Sequence, residues 1–186
     1  MTTTASRNGV DVARLLQTVE AIQGQPSLAR FQFRSRTKWE GGGRSKTAIQ
    51  GFFGAGQEDK SRAEPLTLVG DEPPVLLGEN AGPNAVEAVL HALASCLSVG
   101  FIYNAAARGI DVRSLEFELD GDLDLRAFLG LSDEVRPGYA GVRVRYRVDA
   151  DASAEEITDL CNYVQRTSPA LDIISKPVPV TVERIS

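Results

Sequence analysis

The chain has 186 residues, 42% of them apolar and 24% charged, which is enough for one globular domain with a sizeable core. Its formal net charge of −5 argues against nucleic-acid and membrane partners, because phosphate groups and anionic lipid would be repelled over most of the surface. Two cysteines and one histidine are too few for a disulfide framework or a structural zinc site, so the sequence predicts no metal and no cofactor.

The N-terminal segment predicts a short disordered stretch followed by a surface helix. Residues 1–8 are small and polar and lack the apolar run of a secretory signal, so a cytoplasmic location is expected. Residues 9–23 then carry apolar side chains at helical spacing, and Asn8 and Asp11 are placed to cap and charge the first turn. No linker divides the chain, so residues 1–186 are interpreted as one domain.

Alternating side chains predict strands in the next part of the chain. Residues 29–40 alternate aromatic and basic side chains, which is typical of a half-buried strand. The three glycines at 41–43 permit a tight turn into a second strand at 44–53, and this turn is followed directly by Arg44. A further short strand is predicted at 66–69.

The longest predicted helix runs from Gly82 to Gly109 and carries Cys96 near its middle. Asn84 and Glu87 have capping-box spacing at its start, and Gly109 can adopt the left-handed conformation that ends a helix. Apolar side chains occupy all of its faces, so we expect burial on most sides. The apolar run approaches the length of a membrane span, but the polar residues within it and the lack of a basic flank favour a core helix.

Two strands with complementary faces are predicted after this helix. Residues 115–119 alternate apolar with acidic side chains, and residues 142–148 alternate apolar with arginine side chains. The acidic and basic rows are expected to pair across the strands, although the arginine row could instead bind a ligand. Residues 126–140 between them are interpreted as an excursion with a helical turn.

The last part of the chain predicts a second core helix and a closing strand. Ser153–Glu156 is a capping-box pattern, and the helix that it begins carries Cys161 and is expected to end near Pro169. Alternating valines over 178–182 predict the final strand. Because the strands come in runs instead of alternating with helices, the pattern indicates an α+β fold.

Cys96 has two interpretations from its own surroundings. A cysteine in a buried helix is usually a small packing residue. The helix N-terminus at Asn84 is 12 residues away, too far to activate the thiol, and His91 lies roughly 140° around the helix, so neither supplies a base or a charge. An activating group must come from elsewhere in the chain.

These motifs together resemble the OsmC/Ohr family, many of whose members are thiol-dependent peroxidases for organic hydroperoxides. The resemblance extends from about Phe31 to the C-terminus, and four segments carry it: Trp39–Arg44, the GPNAVEAVLHALASC run that ends at Cys96, Ser168–Pro169, and Lys176–Val180. It implies an intertwined homodimer in which antiparallel sheets wrap around two central helices, with each active site at the subunit boundary.

The resemblance also implies site residues. Cys96 matches the peroxidatic cysteine, which a hydroperoxide oxidises to sulfenic acid, and Arg44 matches the arginine that stabilises its thiolate. Glu87 lies one position beyond the family's site glutamate, so it is either a site carboxylate or only the capping partner of the helix. Ser168 stands where the family has its resolving cysteine, which implies an external thiol reductant, with Cys161 as a less favoured substitute.

Two alternatives stay open at this point. Arg44 can be a solvated residue of the turn, in which case Arg34 or Arg36 would supply the positive charge. The whole protein can also be a non-catalytic dimer that binds an apolar small molecule in an interfacial pocket, with Cys96 only lining that pocket.

Overall fold

A computed structural model describes residues 6–185, and these form short antiparallel sheets and helices. The strands of this part of the chain are Ser6–Arg7 (β1), Val10–Asp11 (β2), Arg36–Gly41 (β3), Arg44–Ile49 (β4), Phe52–Gly54 (β5), Gln57–Asp59 (β6), Leu66–Gly70 (β7), Val112–Asp122 (β8) and Gly141–Ala150 (β9). Its α-helices are Val12–Gly24 (α1), Ala85–Ala107 (α2), Leu125–Phe128 (α3), Ala154–Thr167 (α4) and Pro169–Ser175 (α5). The predicted α+β class is confirmed.

The contacts of the chain group it into two compact units, which are described in turn. The first unit combines the N-terminal residues up to Val12 with the chain from Leu90 onwards. The second unit is Ala13–Val89.

The core of the first unit forms between α2, α4 and the sheet of β8 and β9. Side chains four residues apart make a buried stripe on α2, which packs with two buried residues of α4 and with Ile110: Leu93, Leu97, Phe101, Ala105, Leu160, Val164 and Ile110. Apolar residues of both strands cover this cluster from the sheet side. The alternation predicted for the two strands therefore places their apolar faces against the helices.

The outer face of the same sheet carries the predicted ladder of ion pairs. Three acidic residues of β8 lie opposite arginines of β9, in the register Glu116 with Arg147, Glu118 with Arg145 and Asp120 with Arg143. Arg147 contacts both Glu116 and Glu118, at 3.1 and 2.6 Å. The prediction of cross-strand pairing is confirmed, and α3 supplies the helical turn predicted between the two strands.

The predicted ends of the central helix are confirmed. The Asn84 N–H donates to Glu87 Oε2 and the Glu87 N–H donates to Asn84 Oδ1, both at 2.9 Å, and Gly109 has a φ of +80° just after the helix. The expectation of burial on most sides is wrong for the single chain, because Val99 and Tyr103 are 46% and 47% exposed. The helix α2 is long and apolar enough to cross a membrane, but helices in the core of a globular protein can be equally long and apolar.

The N-terminal residues differ from the prediction. Residues 6–8 are ordered instead of disordered, because β1 and β2 form a hairpin whose turn contains Asn8 at φ +53°. The Asn8 side chain does not cap a helix: it donates to the Ile110 carbonyl and accepts from the Val112 N–H, both at 2.9 Å. The predicted surface helix is present as α1, and residues 1–5 lie outside the described part of the chain.

The second unit contains a three-stranded antiparallel sheet in the order β3, β4, β7. Its β3–β4 hairpin confirms the predicted glycine turn, with Gly41 opposite Arg44 and a bulge after Trp39. Gly41 and Gly42 have φ values of +123° and +51°, which explains why glycine is needed there. The short strand predicted before the central helix is present as β7.

The two long strands predicted on either side of this turn are shorter than expected. Residues 26–29 form a 3₁₀ turn, and β3 begins only at Arg36. The rings of Phe31, Phe33 and Phe52 pack together with centroid separations of 5.4–6.2 Å, and β5 pairs with β6 instead of extending β4. The alternation of residues 29–35 therefore reflects an aromatic cluster and not a regular strand.

One prediction for the C-terminal part is confirmed and one is wrong. The helix α4 ends at Thr167, close to Pro169 as predicted, and Pro169 then begins a further helix, α5, as proline can at the first position of a helix. Residues 176–185 form no strand, although valines alternate there. Pro177 and Pro179 lack N–H donors, and Val182 is 91% exposed, so the segment has no sheet partner in the described chain.

Candidate functional site

The structure brings together Cys96 and Ser168, the two positions to which the family resemblance assigns peroxidatic and resolving roles. The Ser168 Oγ lies 3.2 Å from the Cys96 Sγ. Cys96 is a free, half-buried thiol at the middle of α2, and Ser168 is only 5% exposed. Both belong to the first unit.

Ser168 is held at a junction between two helices. It is the residue that ends α4 and the residue that caps α5, where Pro169 takes the first helical position. Its Oγ accepts a hydrogen bond from the Leu171 N–H at 3.3 Å, and its carbonyl accepts one from the Asp172 N–H at 3.0 Å. The backbone and the side chain of this serine are therefore both fixed.

The helix surroundings of Cys96 are mainly apolar. Leu93 and Leu97, on the same helix, are 1% and 5% exposed. His91 is exposed, and its Nε2 lies 3.4 Å from the Ser95 Oγ. The hydroxyl of Ser168 is thus the polar group that the structure places against the Cys96 sulfur.

Arg44 lies in the second unit, at the start of β4. Its Nη2 lies 3.2 Å from Glu79 Oε2, and the two side chains are 41% and 80% exposed. An exposed pair of this kind stabilises the fold only weakly. The sequence pattern gave no indication of Glu79, because it lies in an irregular loop without periodicity.

The loop beside Arg44 is organised by the buried carboxylate of Asp71. Its oxygens accept backbone hydrogen bonds from Glu72, Glu79 and Ala81 at 2.9–3.0 Å. Hydrogen bonds from Ala81 and Glu72, together with the positive charge of Arg44, hold the pKa of Asp71 below its usual range against the opposing effect of burial. The sequence analysis also did not single out Asp71. The signal that could have indicated it is an aspartate at the start of the proline- and glycine-rich segment that precedes α2.

Two of the other candidate charges of the second unit, Arg34 and Glu87, have partners of their own. Arg34 makes two contacts with Glu58, at 2.6 and 3.1 Å, and this hydrogen bonding raises the pKa of Arg34 and lowers that of Glu58. Glu87 exchanges two hydrogen bonds with Asn84 at the start of α2, as expected if it is the capping partner of the helix. Arg36 is exposed at the start of β3.

Cys161 lies in a different setting from Cys96. It lines an apolar cavity of about 300 Å³ in the first unit, between the helices and the inner face of β9. Gln165 Nε2 lies 3.6 Å from its sulfur, and a hydrogen bond with this thiol raises the pKa of Tyr146. Cys161 is therefore a half-buried residue with polar neighbours at the wall of the cavity.

Residues 6–185 contain no cluster of three or more histidine, cysteine, aspartate or glutamate side chains that could hold a metal ion.

Comparison with known proteins places the chain in a family. The family model described as OsmC-like protein matches residues 78–183, which include Cys96, Ser168 and more than half of the chain. The chain belongs to the OsmC-like protein family. No curated protein matches its sequence significantly.

Solved structures share the fold at low sequence identity. An OsmC-like protein from Mycoplasma pneumoniae has a TM-score of 0.61 and 14% identity, covering 78% of this chain and 89% of its own. A protein from Legionella pneumophila, described as an organic hydroperoxide resistance protein OsmC, has a TM-score of 0.51 and 16% identity, covering 76% and 88%. A putative osmotic stress induced and detoxification response protein from Psychrobacter arcticus has a TM-score of 0.55 and 14% identity, covering 74% and 85%.

Proposed function

We propose that the protein is a thiol peroxidase that reduces organic hydroperoxides through Cys96 in the cytoplasm. The Cys96 thiolate attacks the peroxide, so that an S–O bond forms and the O–O bond breaks. The sulfur is oxidised by two electrons to sulfenic acid, and the departing alkoxide takes up a proton and leaves as an alcohol. The apolar helix surroundings of Cys96 suit a hydrophobic peroxide better than hydrogen peroxide.

The observation that carries this proposal is the state of Cys96 itself. It is a free, half-buried thiol in the part of the chain that matches the family, and its sulfur contacts a buried hydroxyl. A thiol that serves only for packing needs no polar partner. The relative described as an organic hydroperoxide resistance protein supports the same substrate class.

An external thiol completes the proposed cycle. Serine cannot form a disulfide, so Ser168 leaves the sulfenic acid of Cys96 without an internal partner at that position. One molecule of reductant condenses with the sulfenic acid, releasing water and forming a mixed disulfide. A second then attacks this disulfide, restores the Cys96 thiol and leaves as the oxidised reductant.

Arg44 is proposed to supply the positive charge that favours the Cys96 thiolate and the developing alkoxide. Of the three arginines considered, Arg34 is already held by two contacts with Glu58, Arg44 has one exposed partner and Arg36 is exposed. The choice of Arg44 over Arg36 rests on the family resemblance of the Trp39–Arg44 turn. Glu87 is proposed to act only through the helix cap that it makes with Asn84.

The protein is further proposed to be a homodimer. In the second unit, Trp39, Leu66 and Leu68 lie on one face of the sheet and are 76%, 56% and 57% exposed. In the first unit, Val99 and Tyr103 of α2 are also about half exposed. Apolar surface of this kind usually marks an interface. Light scattering at micromolar concentration should give about twice the chain mass of 20.0 kDa, and a value near 20 kDa throughout would refute the dimer.

Steady-state kinetics test the proposed activity. With cumene hydroperoxide and an excess of a small dithiol, the wild-type protein should consume peroxide catalytically. Cys96→Ser should lower the rate more than about 100-fold, because it removes the nucleophile. Cys161→Ser is the matched control and should retain the rate. Equal loss in both variants, or turnover that survives Cys96→Ser, would contradict the proposal.

A second candidate function is binding of a small apolar molecule without turnover. The cavity beside Cys161 favours it, since a volume of about 300 Å³ is at the lower end of ligand pockets. The kinetic comparison of the wild-type protein with Cys96→Ser separates the two functions. A protein that only binds its ligand would not consume peroxide, so the wild type and the variant would be equally inactive.

A further inference from the structure

The direction of the hydrogen bond between Ser168 and Cys96 follows from the partners of the hydroxyl. A serine hydroxyl has one proton to donate and two lone pairs to accept with. The Leu171 N–H can only donate, so its contact of 3.3 Å occupies one lone pair of Ser168 Oγ. The remaining side-chain contact described for this hydroxyl is the Cys96 sulfur at 3.2 Å. The proton of Ser168 is therefore free to be donated to Cys96.

Burial makes this donor more effective. Ser168 is 5% exposed, so bulk water competes little for its proton. A half-buried thiolate loses part of its hydration, and a hydrogen bond donated to the charged form compensates for that loss. Hydrogen bonds to charged groups are also stronger than those between neutral groups.

We propose that Ser168 is a hydrogen-bond donor that stabilises the ionised sulfur of Cys96 and then the oxygen of its sulfenic acid. The second part of this inference rests on the proposed peroxidase function, whereas the first part does not. Ser168 thus controls the reactivity of Cys96 from a position where a cysteine would close a disulfide.

The role of Ser168 can be followed through the oxidation step. Before attack, the hydroxyl donates to the thiolate. During attack, an electron pair of the sulfur forms the S–O bond, and the peroxide O–O bond breaks. Ser168 keeps its own proton throughout, because the alkoxide is protonated from solvent. The same hydroxyl can then donate to the new oxygen on Cys96, which holds the sulfenic acid in place for the external thiol.

Alkylation by iodoacetamide at pH 7 tests the first part directly, because only the thiolate reacts at an appreciable rate. In a Cys161→Ser background, Ser168→Ala should slow alkylation of Cys96 about tenfold, as expected for the loss of one hydrogen bond to a charged group. Ser168→Thr keeps a hydroxyl and should restore the rate to within about threefold. Ser95→Ala is the matched control, since this neighbouring hydroxyl lies against His91, and it should leave the rate unchanged.

A second variant separates hydrogen bonding from the helix cap. Ser168 also caps α5, and alanine is a poor capping residue whereas glycine is a fair one. Ser168→Gly should therefore slow alkylation as Ser168→Ala does, with circular dichroism unchanged. If both variants remain folded and alkylate as fast as the parent, the inference is overturned.

The outcome for Ser168 is independent of the outcome for turnover. Slower alkylation in Ser168→Ala and Ser168→Gly, in a protein that consumes no peroxide, would support the hydrogen bond and contradict the peroxidase. Unchanged alkylation in a protein that does turn over peroxide would contradict the role of Ser168 and leave the peroxidase intact.

Discussion

Oxidation of the Ser168→Cys variant is expected to produce an intramolecular disulfide between Cys96 and the introduced thiol. In the native protein the side-chain atoms of these positions are 3.2 Å apart, and a disulfide needs about 2.05 Å between its sulfur atoms. Because a C–S bond is longer than a C–O bond, the introduced sulfur would lie closer still. After one equivalent of cumene hydroperoxide, peptide mapping without reduction should find this cross-link in most molecules.

The wild-type protein is the control for this cross-link, and no Cys96–Cys161 disulfide should dominate in it. Cys161 lies seven residues before Ser168, roughly 10 Å back along the helix axis, and its sulfur is contacted by Gln165. A dominant Cys96–Cys161 cross-link would show that Cys161 is the resolving thiol. Failure of the variant to form its cross-link, with the fold intact, would contradict the observed proximity of positions 96 and 168.

The Arg44→Ala substitution is expected to slow the attack of Cys96 on cumene hydroperoxide by about 10- to 100-fold. Loss of one preorganised charged donor at a developing oxyanion has effects of this order. Stopping the reaction at timed intervals with acid, followed by titration of the remaining thiol, would give the rate constant. The expected effect is on the rate of oxidation and not on the amount of thiol that reacts.

Arg36→Ala is the matched control for Arg44, because both residues lie in the same β3–β4 hairpin. It should leave the rate constant within about twofold of the wild type. The reverse pattern, a slow Arg36→Ala and a normal Arg44→Ala, would assign the charge to Arg36. Equal rates in all three proteins would remove the hairpin arginines from the mechanism.

Local sequence signals predicted most helices and the paired strands. Helix ends are encoded by residues that are close together in the sequence, and three of them form as predicted: the capping boxes at Asn84 and Ser153 and the left-handed glycine at position 109. The acidic and basic rows of β8 and β9 are an equally local signal, since each row lies on a single strand.

The errors arose where tertiary contacts override a local pattern. Asn8 was interpreted as a helix cap but bonds to Ile110 and Val112, more than 100 residues away. The alternation around Phe31 and Phe33 reflects their packing with Phe52, and that contact has no sequence signal. Burial of α2 was overestimated because composition indicates how apolar a helix is, and not what covers it.

The candidate site was likewise predicted from the sequence only in part. The family resemblance indicated the pair of positions 96 and 168, and the structure places them in contact. Residue types alone could not reveal that Ser168 is buried and accepts a hydrogen bond from the Leu171 N–H, because this depends on the junction of α4 with α5. Asp71 and Glu79 became visible only through the contacts of an irregular loop.

The mass of Cys96 after a single oxidation tests the central claim most directly. The protein would be treated with one equivalent of cumene hydroperoxide in the presence of dimedone, which traps sulfenic acid, and its peptides mapped by mass spectrometry. The proposed chemistry predicts about one dimedone adduct per chain, on Cys96, and none in Cys96→Ser. Unmodified Cys96 with intact peroxide, or an adduct mainly on Cys161, would contradict it.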